Sequence, residues 1–440
     1  MITLGIETSC DETAICLLET EASASANGQS LLSYKILGNL ILSQVELHRQ
    51  YGGVFPIMAK REHAKNLVPL LEKLIHESGI AVSKIKMSAG KTGDDTTSVD
   101  LKNGLEKILK EKEPELLDRL LQSKLLGEKP AIDQIAVTKG PGLEPALWVG
   151  VNCARALSEL WNVPVVGVNH MEGHVVGSLL ESAAVTLIKS PLVEKIGQLK
   201  VSTLKPLRPI TFPALALLIS GGHTELVLVK KIGDYAVVGR TKDDAVGEAY
   251  DKVARMLGLP YPGGPHIHEL SEKNRQTQKR NTSTPAAGST GAIHLPRPML
   301  HSPDLDFSFS GLKTAVLYLL RDIRGTKKTD ANNDALTDDL KSEIAREFED
   351  AVTEVLVTKT EKALEEYGVQ ALILGGGVIA NPHIRKAFQT LADKHSIPLY
   401  LPPDGVSGDN ALMIALAGAL NNVYTPLRAH GNLSLGSATL

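Results

Sequence analysis

Two histidines four positions apart open and close the string His170-Met171-Glu172-Gly173-His174. On a helix, side chains at this spacing project from one face, and two neutral imidazoles so placed can hold one transition-metal ion. Asp409, far downstream, would complete a three-ligand set with an open coordination position, as a catalytic metal requires. Such pairs also occur by chance and bind nothing, but the setting favours a site. The pair directly follows the short apolar run Pro164–Val168, and ligands at the end of a buried strand, opening a helix, sit where α/β folds place their sites.

Other segments carry chemistry of a different kind. Ser220-Gly221-Gly222-His223-Thr224 reads as a turn with exposed backbone amides, which glycines let a phosphate approach closely. Gly375-Gly376-Gly377 ends an apolar strand ahead of a helix that opens at Asn381. The triple glycine would let a base or ribose lie on the backbone, and a helix N-terminus favours anionic groups. Between them, Asp243 to Gly258 has a buried stripe at helical spacing (Val246, Ala249, Tyr250, Val253, Met256, Leu257). Gly247, Asp251 and Lys252 fall nearer the opposite edge, where an acid can accept hydrogen bonds from a hydroxyl group. Pro262-Gly263-Gly264-Pro265 ends the segment as a rigid turn.

The elements that must position these groups occur twice. Leu4–Leu18 and Leu217–Val229 both read as strand, small polar turn, strand. A third strand follows each, over Tyr34–Gln44 and Tyr235–Thr241. Each half later has a strand running into a glycine turn and a helix: Ile135–Gly142 before Ala146–Leu160, and Ala371–Val378 before Asn381–Lys394. Two halves of matching order imply a duplication, with ligands in the cleft between them and both hairpin turns facing it. Three stretches read as insertions: about 83–130, charged and helical over Leu105–Lys124; about 184–210; and 272–300, a basic, flexible loop. The last is either a solvated loop or a phosphate-contacting arm for RNA.

The 440 residues allow two or three domains, and 43% hydrophobic with 22% charged residues is ordinary for a soluble globular protein. A formal net charge of -3 means that a nucleic-acid partner must meet a local basic surface. Cys10, Cys16 and Cys153 make no disulfide framework and are expected to stay reduced. Met1–Glu7 reads as a strand meeting an acid, not as a signal peptide. No apolar stretch approaches the ~18 residues of a membrane span. A soluble, cytoplasmic protein is expected.

The ordered motifs resemble the universal tRNA threonylcarbamoyladenosine synthesis family in its bacterial transferase form, TsaD. They are Gly5-Ile6-Glu7-Thr8-Ser9-Cys10-Asp11-Glu12-Thr13-Ala14; His48 with Tyr51-Gly52-Gly53-Val54 and Pro56; Arg61 with His63; and Lys139-Gly140-Pro141-Gly142-Leu143. The His170–His174 string, Ser220–Thr224, Asp243–Lys252, Phe307–Thr314, Gly375–Val378 with Asn381, and Gly408–Ala411 complete the set. The resemblance implies an α/β, duplicated actin-like and heat-shock-ATPase (ribonuclease-H-like) mixed-sheet fold. Its first lobe would span 1–170 and its second 171–440, with the C-terminal segment packing back on the first. It implies that His170, His174 and Asp409 ligate one divalent metal, iron(II) or alternatively zinc(II). By the same resemblance Leu218, Ile219, Ser220, Gly221 and Gly222 contact the nucleotide and phosphate, and Asp251, Gly264 and Asn381 bind the adenylate. Many bacterial members carry an acid four residues after Gly264, where this chain has His268. That puts a ribose contact there in doubt, unless a neighbour such as Glu269 makes it.

The implied reaction moves threonylcarbamoyl from threonylcarbamoyl-AMP to the N6 amine of the adenosine 3′ to the anticodon, in tRNAs reading codons that start with A. Implied partners are tRNA, a paralogous TsaB-like subunit and a small TsaE-like ATPase, with homodimers in some members and no membrane. Asp11 and Glu12, on the first hairpin turn, are candidates for orienting the amine or shuttling its proton; alternatively they satisfy turn amides. Three rivals stand beside this reading. A metalloprotease would place its glutamate directly after the first histidine, where this chain has Met171, and Glu172 points to another face. A sugar-kinase-like ATPase of the same architecture would need magnesium but no histidine-bound metal. An RNA-binding scaffold would keep the fold without the chemistry.

Overall fold

Strands that are apolar at every position need a covering layer on both faces. Ala214–Ile219 is such a strand, buried throughout, and Gln134–Gly140 is buried along its whole length too. The computed structural model describes residues 1–24, 30–85, 96–181, 186–189, 196–200, 203–281, 293–326, 336–421 and 427–436, and in it two mixed sheets answer that demand.

Their strand orders match. The first sheet runs Ser30–Ser43, Glu12–Ala24, Ile2–Glu7, Gln134–Gly140, Val165–Asn169; the second runs Asp234–Arg240, Thr224–Lys231, Ala214–Ile219, Ala371–Gly375, Leu399–Tyr400. Each opens with an antiparallel meander, and its two later strands run parallel to the first. The expected duplication is therefore present strand for strand, and the fold is the actin-like, ribonuclease-H-like α/β type.

Helices His170–Gly177 and Ala411–Leu420 lie between the sheets, in one core with Ala14, Cys16, Val166, Leu218 and Ile373. Helices Pro56–Ser78 and Glu144–Trp161 cover the outer face of the first sheet. Val246–Met256, Ser310–Thr326, Asp338–Tyr367 and Pro382–His395 cover that of the second. Ala411–Leu420 is the chain's return to the first lobe. It lies so close to the first strand that a Cβ on Gly5 would collide with the Ala411 carbonyl oxygen. Among the described residues, no helix is long and apolar enough to cross a membrane.

The three insertions take definite places. Val82–Lys84 and Glu128–Pro130 pair as a ribbon, and between them Thr96–Leu109 and Pro114–Gln122 form helices. Leu105, Leu109, Leu116 and Leu120 bury against the first lobe. The lead-in over 86–95 lies outside the described residues. Thr186–Lys189, Ile196–Lys200 and Lys205–Pro206 extend the first sheet from the edge of Ser30–Ser43. The chain thus leaves the first sheet after Pro206, not at residue 170 as expected, because the long third strand offers an unpaired edge to cover. Lys273 to Arg280, expected as a loop, belongs to helix Gly263–Asn281. Ion pairs from Arg275 to Glu349 and Asp350, at 2.6 and 2.5 Å, fix it there. The remainder of that stretch up to 292 lies outside the described residues.

Candidate metal centre and interlobe cleft

Capping residues set the ligand positions. Asn169 ends its strand, and its side-chain oxygen accepts from the Met171 and Glu172 amides at 2.9 and 3.4 Å, which starts the helix at His170. From the other side, Asn410 caps Ala411–Leu420 by accepting from the Met413 amide at 3.1 Å. Its Nδ2 donates to the Val406 and Gly408 carbonyls at 3.0 and 2.8 Å. The loop carrying Asp409 is thereby held at both ends.

The three expected ligands converge. His170 Nε2 and His174 Nε2 each lie 3.3 Å from Asp409 Oδ1, and the two rings meet edge to face with centroids 4.7 Å apart. Behind them, His170 Nδ1 lies 3.0 Å from Glu7 Oε2; with the proton on Nδ1, Nε2 is free to bind an ion. Glu7 also accepts from Thr138 Oγ1 at 2.6 Å and from the Ser9 amide at 2.5 Å. This carboxylate–histidine arrangement is the usual outer support of a metal ligand. Both imidazoles are buried, whereas the Asp409 side chain keeps 19% of its surface exposed, so the approach lies on its side.

The donors fit a divalent ion. His174 Nε2 is buried and has no well-aligned hydrogen-bond partner, although Asp409 Oδ1 is near. An orphaned imidazole nitrogen beside a carboxylate is costly unless something accepts its lone pair. Burial opposes ionisation of Asp409, but His170 and His174 outweigh it and hold its pKa far below the usual carboxylate range. Burial pushes His223, on the second hairpin turn, down to about 4, with His170 adding to the effect.

Asp11 and Glu12 lie on the first hairpin turn. Burial raises both carboxyls, and Asp409 pushes each further in the same direction. Ser43 Oγ donates to Glu12 at 3.2 Å. Asp251, on Val246–Met256, accepts from the Gly263 amide at 2.7 Å and so caps the helix in which Gly264 lies. Its pKa rises to about 6, chiefly by burial, with Asp11 contributing. Asn381 caps Pro382–His395 and donates to Glu349 Oε1 at 2.6 Å. Leu218 and Ile219 are buried on opposite faces of their strand, so only their backbone can meet a ligand. Gly221, Gly222, Gly264 and Gly377 have nothing within 4 Å on the side a Cβ would occupy.

Several residues escaped the sequence reading. Glu7 is an acid at the end of a buried apolar strand, and that was its one signal. Glu349 is fully buried and binds Asn381, Arg275 and His268, the last at 3.0 Å. Nothing in its helical pattern marks it as a hub. His268 is therefore tied to Glu349, and Glu269 is exposed. Gly247, expected near the outer edge, packs directly against the Ser220 carbonyl. Glu172 turns away from the ligands, accepting from Tyr235 Oη at 3.0 Å, so it is no protease base.

A family model described as "TsaD: tRNA N6-adenosine threonylcarbamoyltransferase" matches residues 35–89, 109–193 and 193–416. A protein of that name from Burkholderia mallei is 36% identical over 429 residues, 98% of this chain and 94% of its own length. Its namesake from Burkholderia multivorans is 37% identical over 430 residues, 98% of this chain and 95% of its own. Among solved structures, a ROK hexokinase from Thermus thermophilus aligns with TM-score 0.36 and 11% identity over 96% of this chain and 98% of that one. Component A of the Acidaminococcus fermentans (R)-2-hydroxyglutaryl-CoA dehydratase gives 0.38 and 12%, over 96% of each.

Two outcomes follow from this geometry. Glu7→Gln loses the full carboxylate behind His170, and the affinity for added divalent metal should fall about 10- to 100-fold in a chelator competition. Asp251 binds its proton more tightly folded than unfolded, so its contribution to stability is complete below about pH 4 and is lost as pH rises through about 6. Asp251→Asn keeps the acceptor for Gly263 without the charge. In urea unfolding it should match the wild type at pH 4 and exceed it by about 1–3 kcal/mol at pH 7, allowing for partial solvent screening.

Proposed function

The chain belongs to the tRNA N6-adenosine threonylcarbamoyltransferase family and transfers threonylcarbamoyl groups to tRNA, and from that premise we propose how its own residues do so. The donor is threonylcarbamoyl-AMP, and the acceptor is the N6 amine of the adenosine 3′ to the anticodon in tRNAs reading codons that start with A. The observation that carries this reading is the meeting of His170, His174 and Asp409 beside open glycine turns. These three side chains hold one divalent ion per subunit, iron(II) or alternatively zinc(II). When bound, it supplies Lewis acidity toward a carbonyl oxygen.

The remaining work falls to the protein. The amine nitrogen forms a bond to the carbamoyl carbon, the bond from that carbon to the adenylate phosphate oxygen breaks, and AMP leaves. The backbone of Leu218, Ile219, Ser220, Gly221 and Gly222 receives the phosphate, because small residues allow amides to approach it. Asp251, Gly264 and Asn381 hold the nucleoside part. Asp11 or Glu12 orients the amine and accepts its proton. A carboxyl whose pKa is raised by burial holds a transferred proton more firmly than an exposed one. Buried walls around the ligands exclude water, which would otherwise hydrolyse the mixed anhydride. The protein works in the cytoplasm with a TsaB-like paralogous subunit and a small TsaE-like ATPase, or as a homodimer.

Reconstitution with threonine, bicarbonate, ATP, the adenylate-forming enzyme and unmodified tRNA, read by nucleoside mass spectrometry, tests the reading. Threonylcarbamoyladenosine should form, and the double variant His170→Ala/His174→Ala should lower the rate at least about 100-fold. A kinase or an RNA-binding scaffold would keep its activity in that variant. In the same assay, Asp11→Asn or Glu12→Gln should lower turnover about 100-fold or more at unchanged KM for tRNA, according to which takes the proton. Full activity in both removes the role.

A further inference from the structure

The motif His48, Tyr51-Gly52-Gly53-Val54, Pro56 takes no part in holding metal or adenylate, yet it is built with unusual care. His48 is fully buried. Its Nε2 donates to Gln44 Oε1 at 3.1 Å, and its Nδ1 accepts from the Phe55 amide at 3.3 Å. Two arginines fasten the same loop to the second lobe: Arg49 Nε donates to the Tyr261 carbonyl at 3.0 Å, and Arg255 donates to the Gly52 carbonyl. Gly52 has a φ of +65°, and a Cβ there would crowd the Arg255 guanidinium. The loop therefore bridges the lobes at the cleft. It lies close to Asp11, whose carboxylate acts on both His48 and Tyr261.

What this anchored loop presents is apolar. Tyr51, Phe55 and Ile57 are 54%, 47% and 56% exposed, three of the eight large hydrophobic side chains so exposed among the described residues. The two rings lie 6.0 Å apart at 31°. Arg61, one turn beyond Ile57 on the same helix face, is exposed, as is Arg255. Of the nearby acids, Glu46 and Glu62 are paired with Arg49 and Lys65, and Asp11 and Asp251 lie on the inner side of the loop. Exposed aromatic faces on a rigid support, beside guanidinium groups, make a stacking platform for unpaired bases. An amine acceptor inside a stacked loop must leave the stack to reach a buried site, and its neighbours must then stack elsewhere.

We propose that Tyr51 and Phe55 form the platform on which anticodon-loop bases next to the acceptor adenosine stack; this rests on the tRNA-modifying reading above. The test is binding of a labelled anticodon stem-loop RNA to the full-length protein, followed by anisotropy. Tyr51→Ala and Phe55→Ala should each weaken binding at least about fivefold, and Tyr51→Phe should restore it, since the ring alone is needed. Metal content and unfolding midpoint should stay as in the wild type. Wild-type affinity in the double alanine variant overturns the proposal, and if association with a protein subunit is lost instead, the surface is a protein interface. A wild-type protein that forms no threonylcarbamoyladenosine would fail the functional reading itself, a separate result.

Discussion

The contact between His170 and Glu7 ties the first sheet to the helix that lies between the two sheets, and the candidate site is built on it. Glu7 ends the first strand of the chain, and His170 opens a helix wedged between the sheets. The bond fixes which imidazole nitrogen faces inward, and it lies behind the ligand, away from the cleft. Its accuracy depends on how closely the layers meet. Gly375 allows the second sheet's central turn to pass against His174, and Gly173 lets the ligand helix pass Met413 and Ile414. A side chain at Gly375 would push directly on a ligand residue. His170 and His174 are thus held by the central core of the molecule, and Asp409 by a loop that Asn410 braces at both ends.

Burial raises the proton affinity of every carboxylate here, and the neighbours decide the outcome. Asp409 faces two imidazoles and stays ionised; Asp11, Glu12 and Asp251 lack such compensation at close range, and their proton affinity rises. Environments that push like groups apart separate a ligand from a proton acceptor within one cleft. Asp11, in the first lobe, adds to the raised pKa of Asp251, in the second, so a change in the separation of the lobes alters the proton affinity of Asp251.

Much of this was legible in the chain. The hairpins, the third strands and the strand–glycine–helix units carry strong local signals, a two-residue alternation or an apolar run ended by glycine, and each appears where expected. The histidines of the candidate metal site were legible because helical spacing puts His170 and His174 on one face, while the match of Asp409 rests on the family resemblance. What local patterns cannot carry is partnership at long range. Glu349 sits in a helix of ordinary composition and becomes a hub only when Asn381, Arg275 and His268 arrive from other elements. Likewise Lys273–Arg280 looks like a basic loop because two of the three acids that pair with Arg275, Glu349 and Asp350, lie more than seventy residues away. Strands that join a distant sheet edge, as those after residue 185 do, have the same difficulty, since edge pairing depends on what remains uncovered.

Glycine in this protein answers separate demands. At Gly5, Gly247, Gly375 and Gly376 a Cβ would strike another backbone or a ligand helix, so these positions serve close packing. At Gly376 the φ of +95° adds a conformational requirement. At Gly221, Gly222, Gly264, Gly377 and Gly408 a Cβ would meet nothing. Packing does not explain a glycine with free space above it; the equally open Gly79, Gly258, Gly325 and Gly368 lie at helix C-terminal ends, whereas these five lie on the hairpin turn, at the start of the Asp251-capped helix, beside Asn381 and next to Asp409. Open backbone at each of these places leaves amides and carbonyls reachable by a ligand that has phosphate, ribose and base to satisfy. In the proposed reading the adenylate lies against this open backbone, and Asp409, Asp11 and Asp251 carry the charge around it.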